Sequence, residues 1–234
     1  MKKFLPCTLL LFVLLTGCQK DTSVSPDTFV ICPPSGFIGK DSILTGTYLG
    51  INIGADAENV YTAVQALRQS RGVSSINGVS SINVVSNFSS DITQLRERLP
   101  LYQYILLDEN RGTESGVQLT IEANRVKSIY LNSGKQLVQW PVNAKSSSIR
   151  TGDAVGDLYE KLAKIRQMSA YANTFERILL LTKNVSKPYD PAMGQSPQWY
   201  FAYQTEPNRM DEVQIHFKNG KVSHFYINHY QTFE

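Results

Sequence analysis

The chain has 234 residues, 42% of them hydrophobic and 18% charged, with 23 Lys and Arg against 20 Asp and Glu for a formal net charge of +3. So small an excess gives no electrostatic footprint for nucleic acid. Three cysteines, at positions 7, 18 and 32, exclude a disulfide framework.

At the amino terminus Lys2 and Lys3 precede an apolar run from Phe4 to Leu15. The run is too short to span a bilayer and has the charge and length of a secretory signal. It ends in Leu15-Thr16-Gly17-Cys18, which resembles the lipobox of bacterial lipoproteins. The resemblance implies a signal peptide over residues 1–17 that is removed, and acyl chains, palmitate among them, on Cys18. Gln19 after the cysteine resembles the pattern exported to the outer membrane in enteric bacteria, so a lipid-anchored place in the cell envelope is expected. Loss of Lys2 and Lys3 leaves 21 basic against 20 acidic residues. Membrane attachment is therefore expected to rest on the acyl chains, each buried CH₂ contributing about 0.8 kcal/mol, and not on attraction to acidic lipid. Cys7 leaves with the signal, and Cys32 keeps no intramolecular partner, which suits a buried or tolerated thiol. Residues 18–42, rich in Ser, Thr, Asp, Pro and Gly with one apolar cluster at Phe29–Ile31, are expected to form a lipidated tether.

From residue 43 onward the chain repeats itself. Ile51-Asn52-Ile53-Gly54 leads to a helix start at Asp56, with Val60, Val64 and Leu67 on one stripe; Ile149-Arg150-Thr151-Gly152-Asp153 leads to a second, with Leu158, Leu162 and Ile165. Each helix is followed by room for two strands, around Ile82–Val85 and Tyr102–Leu107 in the first copy and Phe175–Thr182 and Trp199–Gln204 in the second. Gly72–Asn77 is duplicated at once as Gly78–Asn83, which fits a small hairpin or a slippage without function. Each copy then ends in a hairpin, Val117–Asn132 and Val213–Asn228, where Val, Gln, Val, Tyr and Asn recur identically over 16 ungapped positions.

In the second hairpin Asn219-Gly220 suits a type I′ turn, because both central positions need positive φ. Strict alternation from that turn pairs Phe217 with Val222, Ile215 with His224 and Val213 with Tyr226, and puts His216 and His224 on opposite faces. The expected fold class is α+β, a tandem repeat of two modules over residues 43–142 and 143–234, each a helix packed on its own roughly four-stranded antiparallel sheet. The helix start, the apolar stripe and the final hairpin ending in Asn-Gly-Lys-Val resemble the β-lactamase-inhibitor-protein-like superfamily, which includes a tandem-module inhibitor and the outer-membrane-assembly lipoprotein BamE (SmpA/OmlA). No functional residue carries over from that resemblance.

Catalytic signatures are missing: the sequence holds no Gly-x-Ser-x-Gly, P-loop, dinucleotide fingerprint or His-Glu-x-x-His. No metal site, cofactor or catalytic residue is therefore expected. The candidates for partner binding are the strand aromatics Tyr102, Tyr104, Trp199, Tyr200 and Tyr203, residue types that anchor protein interfaces. The expected function is a non-catalytic protein-binding or assembly module acting through a sheet face. The alternative is an envelope-polymer hydrolase or carbohydrate-binding module whose site is scattered in sequence.

Overall fold

The computed structural model describes residues 35–70, 79–110 and 112–232. The chain opens with strand β1 (Ser35–Ile43), the short pair β2 (Thr47–Tyr48) and β3 (Ile51–Asn52), and helix α1 (Ala57–Ser70). Next come β4 (Ser81–Val84), β5 (Phe88–Ser89), β6 (Tyr102–Asp108), β7 (Val117–Glu122), β8 (Arg125–Leu131), β9 (Gln136–Leu137) and β10 (Gln139–Trp140). The second half holds β11 (Ile149–Arg150), α2 (Leu158–Arg166), β12 (Arg177–Asn184), β13 (Gln198–Glu206), β14 (Arg209–Lys218) and β15 (Lys221–Thr232).

Eleven of these strands form one antiparallel sheet in the order β1-β15-β14-β13-β4-β12-β6-β7-β8-β9, with β5 also on β12. This corrects the expected fold class: there are not two separate helix-on-sheet modules, because β4, the first strand after α1, pairs with β12, the first strand after α2. Asn83 of β4 lies opposite Thr182 of β12 at the middle of the sheet. The repeats also exchange their helices. Val60, Tyr61 and Val64 of α1 pack with Trp199, Phe201, Val213, Ile215 and Phe225 from the second repeat. Leu158, Leu162 and Ile165 of α2 pack with Ile105, Leu107, Leu119, Val126 and Ile129 from the first. Residues 35–43 form a strand paired with β15, so the end of the stretch expected to be tether belongs to the sheet.

A backbone device present in both hairpins locks this exchange. The ladder is regular at the turn, where Ala123 and Asn124, like Asn219 and Gly220, have positive φ as a type I′ turn requires. It then slips: Ile121 pairs with Val126 but Thr120 with Ser128, and Phe217 pairs with Val222 but His216 with His224. The extra residue on β8 and on β15 is a β-bulge, which leaves main-chain groups beside it without a ladder partner. The helix start of the sister repeat takes them. Gly54 donates to the Val222 carbonyl and Val222 to that of Ala55, both at 2.8 Å; Gly152 donates to the Val126 carbonyl at 2.8 Å and Val126 to that of Asp153 at 2.9 Å.

The bulge also corrects the expected faces. Beyond it Ile215 pairs with Phe225 and Val213 with Ile227, all buried, while His224 and Tyr226 turn to the face of His216 and Gln214. In the first hairpin Ile129 takes the inward place, and Ser128 and Tyr130 turn outward.

Two buried polar clusters lie where the repeats meet. Asp190 accepts from Arg98 Nε at 2.9 Å and from the Tyr102 hydroxyl at 2.7 Å, while Asn87 accepts from Arg98 and donates to Tyr102. Lys183, fully buried, donates to the Tyr61 hydroxyl at 2.8 Å and the Asn184 carbonyl at 3.0 Å. Burial pushes its pKa down to about 8, against the opposing pull of Asp190.

Candidate binding face

Both apolar clusters lie on one side of the sheet, since Trp199 and Val84 in one and Ile105 in the other are strand neighbours of residues that point the opposite way. On that opposite face a single row of paired residues crosses nine strands. From the β1 edge it runs Ser42, Tyr226, Gln214, Tyr200 and Asn83. It continues through Thr182, Tyr104, Thr120 and Ser128. Thr182 donates to Asn83 Oδ1 at 2.9 Å at its centre. Tyr200 and Tyr104, equivalent in the two repeats, flank that central pair symmetrically, three strand spacings or about 14 Å apart. No residue of the row carries a formal charge at neutral pH.

The face is lined by further pairs of the repeat. Gln118 and Tyr130 are cross-strand partners, as are Gln214 and Tyr226. Gln118 donates to Asn132 at 2.9 Å; Gln214 and Asn228 both donate to Glu212 Oε1, at 2.8 and 3.0 Å. Gly116 stands where a Cβ would collide with the Asn132 and Asp108 side chains, so any larger residue there must displace them. Asp108 holds that loop by accepting from Thr113 and Asn132.

Among the described residues the buried side-chain polar atoms without a hydrogen-bond partner are Gln118 Oε1, Gln204 Oε1 and His216 Nε2. All three residues belong to this face: Gln204 shares its side of β13 with Tyr200, and His216 its side of β14 with Gln214. An unpaired buried polar atom costs about 1 to 3 kcal/mol.

His216 and His224 stack with ring centroids 4.4 Å apart and planes 6° from parallel, each meeting the edge or face of Tyr226. This overturns the expectation that they point to opposite faces. Lys40 Nζ covers the Tyr226 ring at 3.6 Å. Burial first, then His224 and Lys40, hold the His216 pKa below the ordinary imidazole value. No group of three or more His, Cys, Asp or Glu among the described residues is placed to hold a metal ion.

Of the five aromatics expected to bind a partner, three are in the core. Trp199 is fully buried and donates to the Met193 carbonyl at 3.0 Å; Tyr203 alternates with Phe201 on the same inward side; Tyr102, paired with Lys183 beyond a register irregularity, turns inward to Asp190. Tyr104 and Tyr200 are half-buried on the row. Gln118, Gln204, His216 and Tyr226 lie on the same face and are not among the five expected aromatics. The identical recurrence of Gln and Tyr at outward positions of both hairpins is the signal that points to Gln118 and Tyr226.

Elsewhere, a shallow cleft of about 590 Å³ runs along β3 and α1, lined by Gly50, Asn52, Gly54, Asn59, Thr62 and Ala66 among others. It has no titratable lining residue and so no group for acid–base chemistry. No helix among the described residues is long and apolar enough to cross a membrane. Cys18 and Cys32 lie outside the described residues, as does most of the Gly72–Asn83 duplication. No protein-family model, no curated protein and no solved structure matches this chain.

Proposed function

We propose that this chain is a lipid-anchored protein of the cell envelope, held through Cys18 in the outer membrane, that binds another envelope macromolecule on the sheet face turned away from its helices and performs no chemistry itself. The observation that supports this most is the row from Ser42 to Ser128. It is continuous over nine strands, with Tyr104 and Tyr200, equivalent in the two repeats, on either side of its centre. A surface of that width and shallowness suits recognition of something extended, whereas catalysis needs convergent titratable groups in an enclosed site. The anchor rests on the resemblance of Leu15-Thr16-Gly17-Cys18 to a lipobox.

Photo-crosslinking in intact cells tests the face. A photoreactive residue at position 104 or 200 should give high-mass adducts that one at exposed position 62, on α1, does not. Adducts from position 62 alone would overturn the assignment. For the anchor, Cys18→Ser should abolish acyl labelling and release the protein from the membrane fraction; a variant that still labels and pellets would contradict it.

A further inference from the structure

Resting on the Cys18 anchor, we infer that the protein stands on the membrane by the β1 edge of its sheet, with Phe37, Ile38 and Leu44 seated in the lipid surface. Among the described residues the exposed large hydrophobic side chains are these three, at 60%, 50% and 65% exposure, with Phe88, Val138 and Val142. Phe88 lies on β5, and Val138 and Val142 follow β9 at the opposite edge, so the β1 stretch gathers what is elsewhere scattered. Phe37, Ile38 and Leu44 belong to neither apolar cluster, although their neighbour Ile43 packs against the second. Exposed apolar side chains gathered in one place mark a surface that meets something other than water.

Two features of the strand say what covers it. The first is that it is built against a further strand. β1 ends the sheet on its side, and its ladder with β15 is broken at Ile38, the extra residue between the pairs Phe37–Tyr230 and Gly39–His229. Lys40 and Asp41 stand at its middle. A bulge and central charges are the devices by which a sheet edge refuses another strand, whether from a peptide or from a second copy. A lipid surface asks for no register, so the bulge does not hinder it. The second feature is continuity with the anchor. Ser35 follows Cys18 by seventeen residues, a reach of at most about 60 Å, and no described element is nearer to Cys18 along the chain. An anchor makes docking intramolecular, so side chains with weak affinity for lipid suffice. Ile38 and Leu44 are about 20 Å apart along the chain and give two points of contact, which lay β1 along the surface. The row then leads away from the bilayer, from Ser42 to Ser128.

The test places the protein, purified from membranes, in vesicles of phosphatidylethanolamine and phosphatidylglycerol. Nitroxide labels are introduced singly at Ile38→Cys, Leu44→Cys and Val138→Cys, each in the Cys32→Ser chain, and collisions with oxygen and with a water-soluble nickel complex are compared. Labels at 38 and 44 should show an oxygen-to-nickel ratio severalfold above that at 138, which faces water at the far edge. Phe37→Asp should lower the ratio at 44, with an unchanged thermal midpoint recording that the fold survives. Ratios at 38 and 44 equal to that at 138 would overturn the inference, as would a ratio at 44 that Phe37→Asp leaves unchanged. Labels at 38 and 44 shielded from both oxygen and nickel would overturn it too, because the edge would then be covered by protein. The Cys32→Ser chain without an introduced cysteine separates the two readings. If Cys18 is acylated it takes up no label, and water-exposed labels at 38 and 44 then refute the edge contact while the anchor stands; uptake of label by that chain refutes both.

Discussion

Gly54 donates its backbone N–H to the carbonyl of Val222 at 2.8 Å, and Gly152 repeats the bond to Val126 at the same distance. Each bond joins the helix start of one repeat to the bulged hairpin of the other. The bulge and the exchange are thus one feature: the slipped residue frees a carbonyl and an N–H that only the sister repeat's chain supplies partners for. The same slip carries Tyr226 and His224 outward and completes the polar row.

The turn that begins each hairpin sets where the slip falls. Gly220 has φ of +72°, and no atom lies within 4 Å of a Cβ built there, so strain and not collision decides its tolerance. Gly220→Val should destabilise by about 1 to 3 kcal/mol in urea unfolding. Asn124, at the equivalent position with φ of +58°, should accept Gly with no loss of stability.

How much of this was legible in the chain divides along locality. The helix stripes Val60-Val64 and Leu158-Leu162 and the Asn219-Gly220 turn are local patterns, and each forms the element expected of it. The bulges carry no such mark: the slipped stretches Lys127-Ser128 and Ser223-His224 contain neither Gly nor Pro, and their cause is a chain segment from the other repeat. The exchange is invisible for a related reason. Duplication gives both hairpins equivalent apolar faces, so the apolar stripes alone do not say which hairpin each helix covers. For the aromatics, alternation along β13 correctly separates Trp199, Phe201 and Tyr203 from Tyr200, but it does not say which set is inside.

Lys183 is a buried ammonium without a carboxylate in direct contact, and its folded pKa of about 8 lies below the unfolded value near 10.4. The unfolded chain therefore binds more protons between those values, and stability should rise as pH increases through that window. Lys183→Met should remove this alkaline gain and unfold at higher urea at pH 7, by about 1 to 3 kcal/mol. Urea midpoints at pH 7 and 10 for both proteins give the comparison.

Asp190 is the common acceptor for Arg98 and Tyr102, and Arg98 is largely buried with it. Asp190→Asn strands a guanidinium in the core and should cost about 3 to 5 kcal/mol. Tyr102→Phe removes only one hydrogen bond and should cost about 1 to 2 kcal/mol. A reversed order of the two thermal midpoints would show that Arg98 is held by something other than Asp190.

His229 ties the edge strand to the sheet through Asp211 Oδ1 at 2.7 Å and Asp41 Oδ2 at 3.2 Å, and the Asp211 bond raises its pKa above the ordinary value. Its stabilising contribution is complete below the unfolded value near 6.5 and is lost as pH rises through the folded one. His216 has the opposite sign: its lowered pKa favours the fold as pH rises toward 6.5 from below. His229→Gln should accordingly cost more at pH 6 than at pH 9, and proteolysis within residues 35–43 should report it first.

The exchange of helices between repeats is the claim on which the sheet, the row and the face all depend. A nitroxide on a cysteine introduced at Thr62, with the three native cysteines replaced by serine, reads it directly through paramagnetic broadening of backbone amides. The label should broaden Val213–Phe217 and Val222–Ile227 and leave Val117–Ile121 and Val126–Leu131 sharp, because α1 packs on the second hairpin. Broadening of the first hairpin with the second left sharp would place each helix on its own repeat and contradict the account.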